Sequence, residues 1–176
     1  MKGNFRFTAD PSVFAWVAAV AILQGCGGRA PNAPSLPDSQ GQFAGSYVIT
    51  SCTESGVFFS GFCAGSGWNS GLAFPLELSL VQNQTVVTGT VSLSRGGSSP
   101  LRGAFQGLIQ PSGHLTATAA LPPFQLFGTI SRDITVWDST IAGNRLSGAF
   151  TLVHRSSTEI GATMTVNASL LQVTRQ

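Results

Sequence analysis

Charge is scarce in this chain. Asp, Glu, Lys and Arg together make up 9% of its 176 residues, and Lys2 is its one lysine. Binding to nucleic acid needs a basic stripe that displaces counterions. Downstream of residue 25, seven arginines stand singly among six acidic residues, so nucleic acid is excluded as a partner. Histidine is rarer still, with two in the chain, and no His, Cys or carboxylate spacing suits a metal or any other cofactor. The chain has no Gly-x-Ser-x-Gly and no phosphate-binding loop. Asp133 and Asp138 lie five apart in one strand-like segment, and strict alternation points them to opposite faces, unsuited to paired acid–base work. The reading is therefore not an enzyme, with no catalytic residue assigned. No helical periodicity follows residue 26, and the apolar run Val13–Leu23, eleven residues long, falls short of the roughly 20 a spanning helix needs.

That short run has a different use. Lys2 and Arg6 precede it, and Leu23-Gln24-Gly25-Cys26 follows it. A basic start, an apolar core and small residues before a cysteine resemble the signal peptide and lipobox of bacterial lipoproteins. The resemblance implies that residues 1–25 are a removable signal and that Cys26 is lipidated with acyl chains, palmitate among them. Each buried methylene would contribute about 0.8 kcal/mol to anchoring. It implies a membrane as partner and the bacterial cell envelope as location, at the outer membrane or periplasmic face rather than the cytoplasm.

With Cys26 assigned to lipid, Cys52 and Cys63 remain as an even pair in an exported protein, for which a disulfide is expected. Closing so short a loop should add roughly 3 kcal/mol.

Residues 26–43 contain Pro31, Pro34 and Pro37 among Asn, Ser and Gln, the composition of an extended tether. A flexible chain of that length would wander about 20–25 Å. Residues 44–176 then alternate with period two, and eight strands are expected near 45–51, 73–82, 85–94, 101–110, 114–121, 127–141, 145–155 and 160–175. A phase change between Leu170 and Leu171 predicts a β-bulge. Tight links at Asn83-Gln84, Pro111–Gly113 and Ala142–Asn144 alternate with looser ones at 52–72, 95–100, 122–126 and 156–159. In an antiparallel meander this alternation gathers every loose link at one end. Eight strands suffice to close the sheet and remove its edges. The expected architecture is all-β, an eight-stranded antiparallel up-and-down barrel, with strand glycines where the wall bends.

At this point the chain resembles the lipocalin-like, or calycin-like, barrels. Gly45-Ser46-Tyr47 opens the first strand where that group has Gly-x-Trp, and Arg175 ends the last strand. The resemblance implies a closed-end clasp of Arg175 across Tyr47 and a long first loop that lids the open end. In the lid segment, Phe58, Phe59, Phe62 and Trp68 could cover an apolar pocket or plug the barrel as core. His154 falls on the apolar phase of its strand near the mouth, with Arg155 beside it and Glu54 in the lid, where it could meet a polar ligand head. Two functions are carried forward. One is a tethered barrel that binds a small apolar or amphipathic ligand at its open end. The other is a filled barrel acting as a structural or adaptor element, with Phe58, Phe59 and Phe62 as an exposed patch for an envelope protein partner.

Overall fold

The computed structural model describes residues 35–95 and 98–176. The expected signal 1–25, the lipidated Cys26 and the tether through residue 34 lie outside the described residues.

Alternation of apolar and polar residues produces eight strands: β1 Gly41–Ser55, β2 Ala73–Asn83, β3 Val86–Arg95, β4 Ser98–Ile109, β5 His114–Gln125, β6 Thr129–Ala142, β7 Arg145–Ser156 and β8 Thr163–Arg175. One short helix, α1 Phe62–Gly65, interrupts the β1–β2 link. Every strand pairs antiparallel with the next, and β8 returns to β1 through pairs such as Tyr47↔Leu170 and Cys52↔Val166. The sheet is therefore a closed up-and-down barrel, consistent with the lipocalin-like layout.

The inward phase agrees with the sequence pattern: Leu76, Leu78 and Leu80 of β2, Val87, Val91 and Leu93 of β3, and Leu146, Phe150 and Leu152 of β7 are all buried. Outside stand Thr88, Thr90, Arg102, Gln106, Thr116 and Thr118. This apolar-in, polar-out arrangement reverses that of transmembrane barrels. Gly89 and Gly148 permit the tight wall, since a Cβ would lie 1.8 Å from the Ser79 carbonyl oxygen and 2.2 Å from that of Asp138.

Aromatic rings fill the middle of the barrel. Trp137 stacks on Phe150 with centroids 5.4 Å apart and planes 7° from parallel. Phe105 meets Trp137 edge-on at 5.2 Å, and Tyr47 meets Phe150 at 5.4 Å. Their polar atoms are satisfied: Trp137 Nε1 donates to Ser139 Oγ at 2.8 Å, and the Tyr47 hydroxyl donates to the Ser94 carbonyl at 2.7 Å. Burial pushes the Tyr47 phenol well above its ordinary range, so it stays a donor.

Several expectations need correction. β1 begins at Gly41 rather than Gly45, and Arg175 does not clasp Tyr47. Its guanidinium lies 5.3 Å from the Phe43 ring, because Phe43 is the residue paired with Arg175 in the β1–β8 ladder. Tyr47 sits further along β1, and its ring turns inward to Phe150. Arg175 Nη1 also donates to the Asp38 carboxylate at 2.7 Å, which holds that acid below the usual range. The bulge expected in the last strand is present, with Gln172 at φ 51° and a register shift against both β1 and β7.

Most of the link expected at 122–126 is strand, since β5 runs on to Gln125: Pro122 and Pro123 sit in a gap of the β5–β6 ladder, between Leu121↔Arg132 and Phe124↔Ile130, where no amide hydrogen is required. The third link also tightens, with Arg95 paired to Ser98. Finally, Asp133 and Asp138 share the outer face, because a register shift between Ile134 and Val136 restores their phase. Asp133 pairs with Arg155 at 3.2 Å and Asp138 with His114 at 2.8 Å.

Candidate ligand cleft at the open end

The tight hairpins after β2, β4 and β6 close one end of the barrel, where β1 also begins. The opposite end is covered by the 56–72 segment, which packs as a lid. The Cys52–Cys63 disulfide ties α1 to the wall, with Cα atoms 5.8 Å apart. Glu54 accepts from the backbone N–H of Gly61 at 2.8 Å and from that of Cys63. From the β7–β8 link, Glu159 accepts from Val57 at 3.0 Å and Phe58 at 2.7 Å. The lid is thus fastened to two sides of the mouth. Removing the disulfide by Cys52→Ser with Cys63→Ser should lower stability by roughly 3 kcal/mol, read by urea unfolding. A loss below about 1 kcal/mol would mean that the carboxylate ties alone hold the lid in place.

Underneath, Phe59 is fully buried and meets Phe58 at 5.0 Å and Phe62 at 5.3 Å, both edge-on. Phe58 and Phe62 are half-buried, so the three rings form core and not the exposed patch expected of an adaptor. The most exposed apolar residues at this end, among the described residues, are Val57, Phe127 and Ile160 on neighbouring loop tips.

Between the lid and strands β3 to β8 lies a cleft of about 390 Å³. Its apolar walls include Phe62, Leu101, Phe124, Leu126 and Met164, and its polar groups include Arg95, Arg132 and His154. Strand parity explains the cations. Arg132 takes the inward phase of Ile130 and Ile134, and Arg95 that of Val91 and Leu93. Each guanidinium lies over a ring: Arg95 is 5.5 Å from the Trp68 centroid and Arg132 is 4.8 Å from that of Phe124. Arg132 Nε also donates to the Pro122 carbonyl at 2.7 Å. Among the described residues, the ion pairs are those of Arg155, Arg175 and His114, and neither Arg95 nor Arg132 has a carboxylate.

His154 is 2% exposed and its ring lies 6.1 Å from Trp68. Burial, then the charges of Arg132 and Arg95, push its pKa down to about 3, against a smaller opposing pull from the Met164 carbonyl. The imidazole is therefore neutral near pH 7. Burial and the neighbouring Arg95 also lower Arg132. Two buried nitrogens, His154 Nδ1 and Trp68 Nε1, have no hydrogen-bond partner among the described residues.

Of the residues expected to bind ligand, Phe62 and His154 line this cleft, Trp68 flanks it, and Phe58 and Phe59 lie behind it. Arg155 and Glu54 do not join His154: Arg155 points outward to Asp133, and Glu54 is held by lid amides. Arg95 and Arg132 were missed, although each stands on the apolar phase of its strand. Family models, curated proteins and solved structures were compared with the chain, and none of them matches it.

Proposed function

We propose that this is a lipid-anchored envelope protein whose barrel holds one small amphipathic molecule in the cleft at its open end. The observation that supports this most directly is the cleft itself. Below it the barrel is filled by Trp137, Phe150, Phe105 and Tyr47, while at the mouth about 390 Å³ remains between apolar walls and a few polar groups. That combination characterises small-molecule sites, which run from about 300 to 1,000 Å³. The lipobox-like segment at Cys26 supports the anchor. Within the barrel, β1 starts at the hairpin end, opposite the cleft.

The test uses full-length protein carrying Cys26→Ser, titrated with octanol and octanoate below their aggregation concentrations. Saturable one-to-one binding of a single-chain amphiphile is expected, followed by tryptophan fluorescence. Leu126→Trp, which puts bulk into the cleft, should weaken it at least tenfold at nearly unchanged Tm. No saturable binding of either compound would reject the ligand role. A contact role for the exposed tips Val57, Phe127 and Ile160 would then be the reading left standing.

A further inference from the structure

We propose that the cleft selects an amphiphile with an anionic oxygen head, a carboxylate or a phosphate monoester on a single acyl or alkyl chain, and that Arg132 and Arg95 hold the head. This rests on the ligand-binding reading above and adds to it the charge of the ligand and the groups that recognise it.

Two guanidinium groups from different strands, β3 and β6, face one cleft of about 390 Å³, and no carboxylate among the described residues neutralises either. Taking a cation partly out of water without a counter-charge is costly. The barrel instead sets each over an aromatic face, Trp68 for Arg95 and Phe124 for Arg132. These rings stabilise the charge without consuming its donors, since stacking leaves the edge N–H groups of the planar fork available. Arg132 spends part of its edge on the Pro122 carbonyl, and Arg95 Nε makes one long contact of 3.3 Å with Ser98 Oγ.

The second observation is independent of the arginines. His154 lines the same cleft, is 2% exposed, and leaves Nδ1 without a partner. Trp68, against both Arg95 and His154, leaves its indole N–H without an acceptor. An indole nitrogen only donates, whereas a neutral imidazole donates from one nitrogen and accepts at the other, so the Trp68 N–H adds to the donors of the two guanidiniums while His154 adds one of each. A site rich in donors and poor in acceptors calls for a ligand that brings acceptors, and an anionic head brings several. A cationic head would face two like charges, and an uncharged alcohol would leave both guanidiniums unpaired. The cleft is near the lower end of ligand-site volumes, which suits one chain and a compact head rather than a two-chain lipid.

The experiment compares octanoate, octyl phosphate, octanol and octyltrimethylammonium on full-length protein carrying Cys26→Ser. Octanoate or octyl phosphate should bind at least tenfold tighter than octanol, and the cation should bind weakest. The ratio of octanoate to octyl phosphate says which oxyanion fits better. Arg132→Gln and Arg95→Gln should each cost the anions about tenfold while leaving octanol unchanged. Added salt should weaken the anions alone. Equal affinity for all four compounds would overturn the charge selection and leave amphiphile binding intact. Binding of none would overturn the functional reading itself. If Arg132→Gln unfolds the chain through loss of its Pro122 contact, Arg95→Gln and the salt dependence still decide the matter.

Discussion

Trp137→Ala is expected to destabilise the barrel by about 3–5 kcal/mol, the cost of removing a large aromatic from a packed interior. The indole is 1% exposed, stacked on Phe150 and struck edge-on by Phe105, so its removal opens a void bounded by rigid rings that cannot collapse into it. It also leaves buried Ser139 without its 2.8 Å partner, whose remaining contact, to the Leu115 carbonyl, is 3.5 Å long. Urea unfolding with the disulfide intact should show a lower midpoint at similar slope. Trp137→Phe should cost less, because a second ring can keep the stack. A loss under about 1 kcal/mol for the alanine variant would mean that the middle of the barrel is loosely filled. The result bears on function as well as stability. The packed rings fill the barrel interior apart from the cleft, so the proposed ligand would be held at the mouth.

Much of this architecture was legible in the sequence because period-two alternation acts on every strand at once. The inward sets on β2, β3 and β7 could be read residue by residue, and the same parity carried His154 to the interior. The bulge in β8 was visible as two adjacent leucines that break phase. What escaped was whatever depends on pairing rather than on pattern. A proline pair reads as a loop, yet Pro122 and Pro123 fit a gap in the ladder where nothing asks for their missing N–H. A bulge on β6 reversed the phase between Asp133 and Asp138, and no residue near Thr135 announces it in the sequence. Arg175 found Phe43 instead of Tyr47 because cross-strand neighbours are chosen by register, which composition does not reveal. Arg132 and Arg95 are the instructive omissions. Their inward phase was as readable as that of His154, but an arginine pointing into an apolar barrel looks wrong until the cleft that receives it is seen. Arg155, adjacent to His154 in the chain, looked like the natural partner and is on the other side of the wall.

Acidification from pH 6.5 toward pH 3 is expected to remove on the order of 4–5 kcal/mol of stability through His154 alone. Its pKa falls from an ordinary 6.5 to about 3 in the folded chain, so between those values the unfolded state holds a proton that the folded state refuses. Unfolding then takes up protons and stability drops as pH falls. The contribution is complete above about pH 6.5 and exhausted below about pH 3. The cause is physical and local: a protonated imidazole here would be desolvated at 2% exposure and would face Arg132 from β6 and Arg95 from β3, with Trp68 of the lid above it. The Asp38–Arg175 pair also weakens in acid, but its carboxyl is held below 3.8, so its loss comes at the bottom of this window or beneath it. Urea unfolding free energies at pH 7, 6, 5 and 4 measure the slope. His154→Gln should flatten it by about 1.4 kcal/mol per pH unit across the window, even if the variant is less stable at pH 7. Equal slopes in the two proteins would show that some other group carries the acid sensitivity. The same titration distinguishes a loaded cleft from an empty one. An anionic head beside Arg132 offsets the two positive charges that help keep the imidazole neutral, so octanoate should raise the His154 pKa and shallow the slope, while octanol should not.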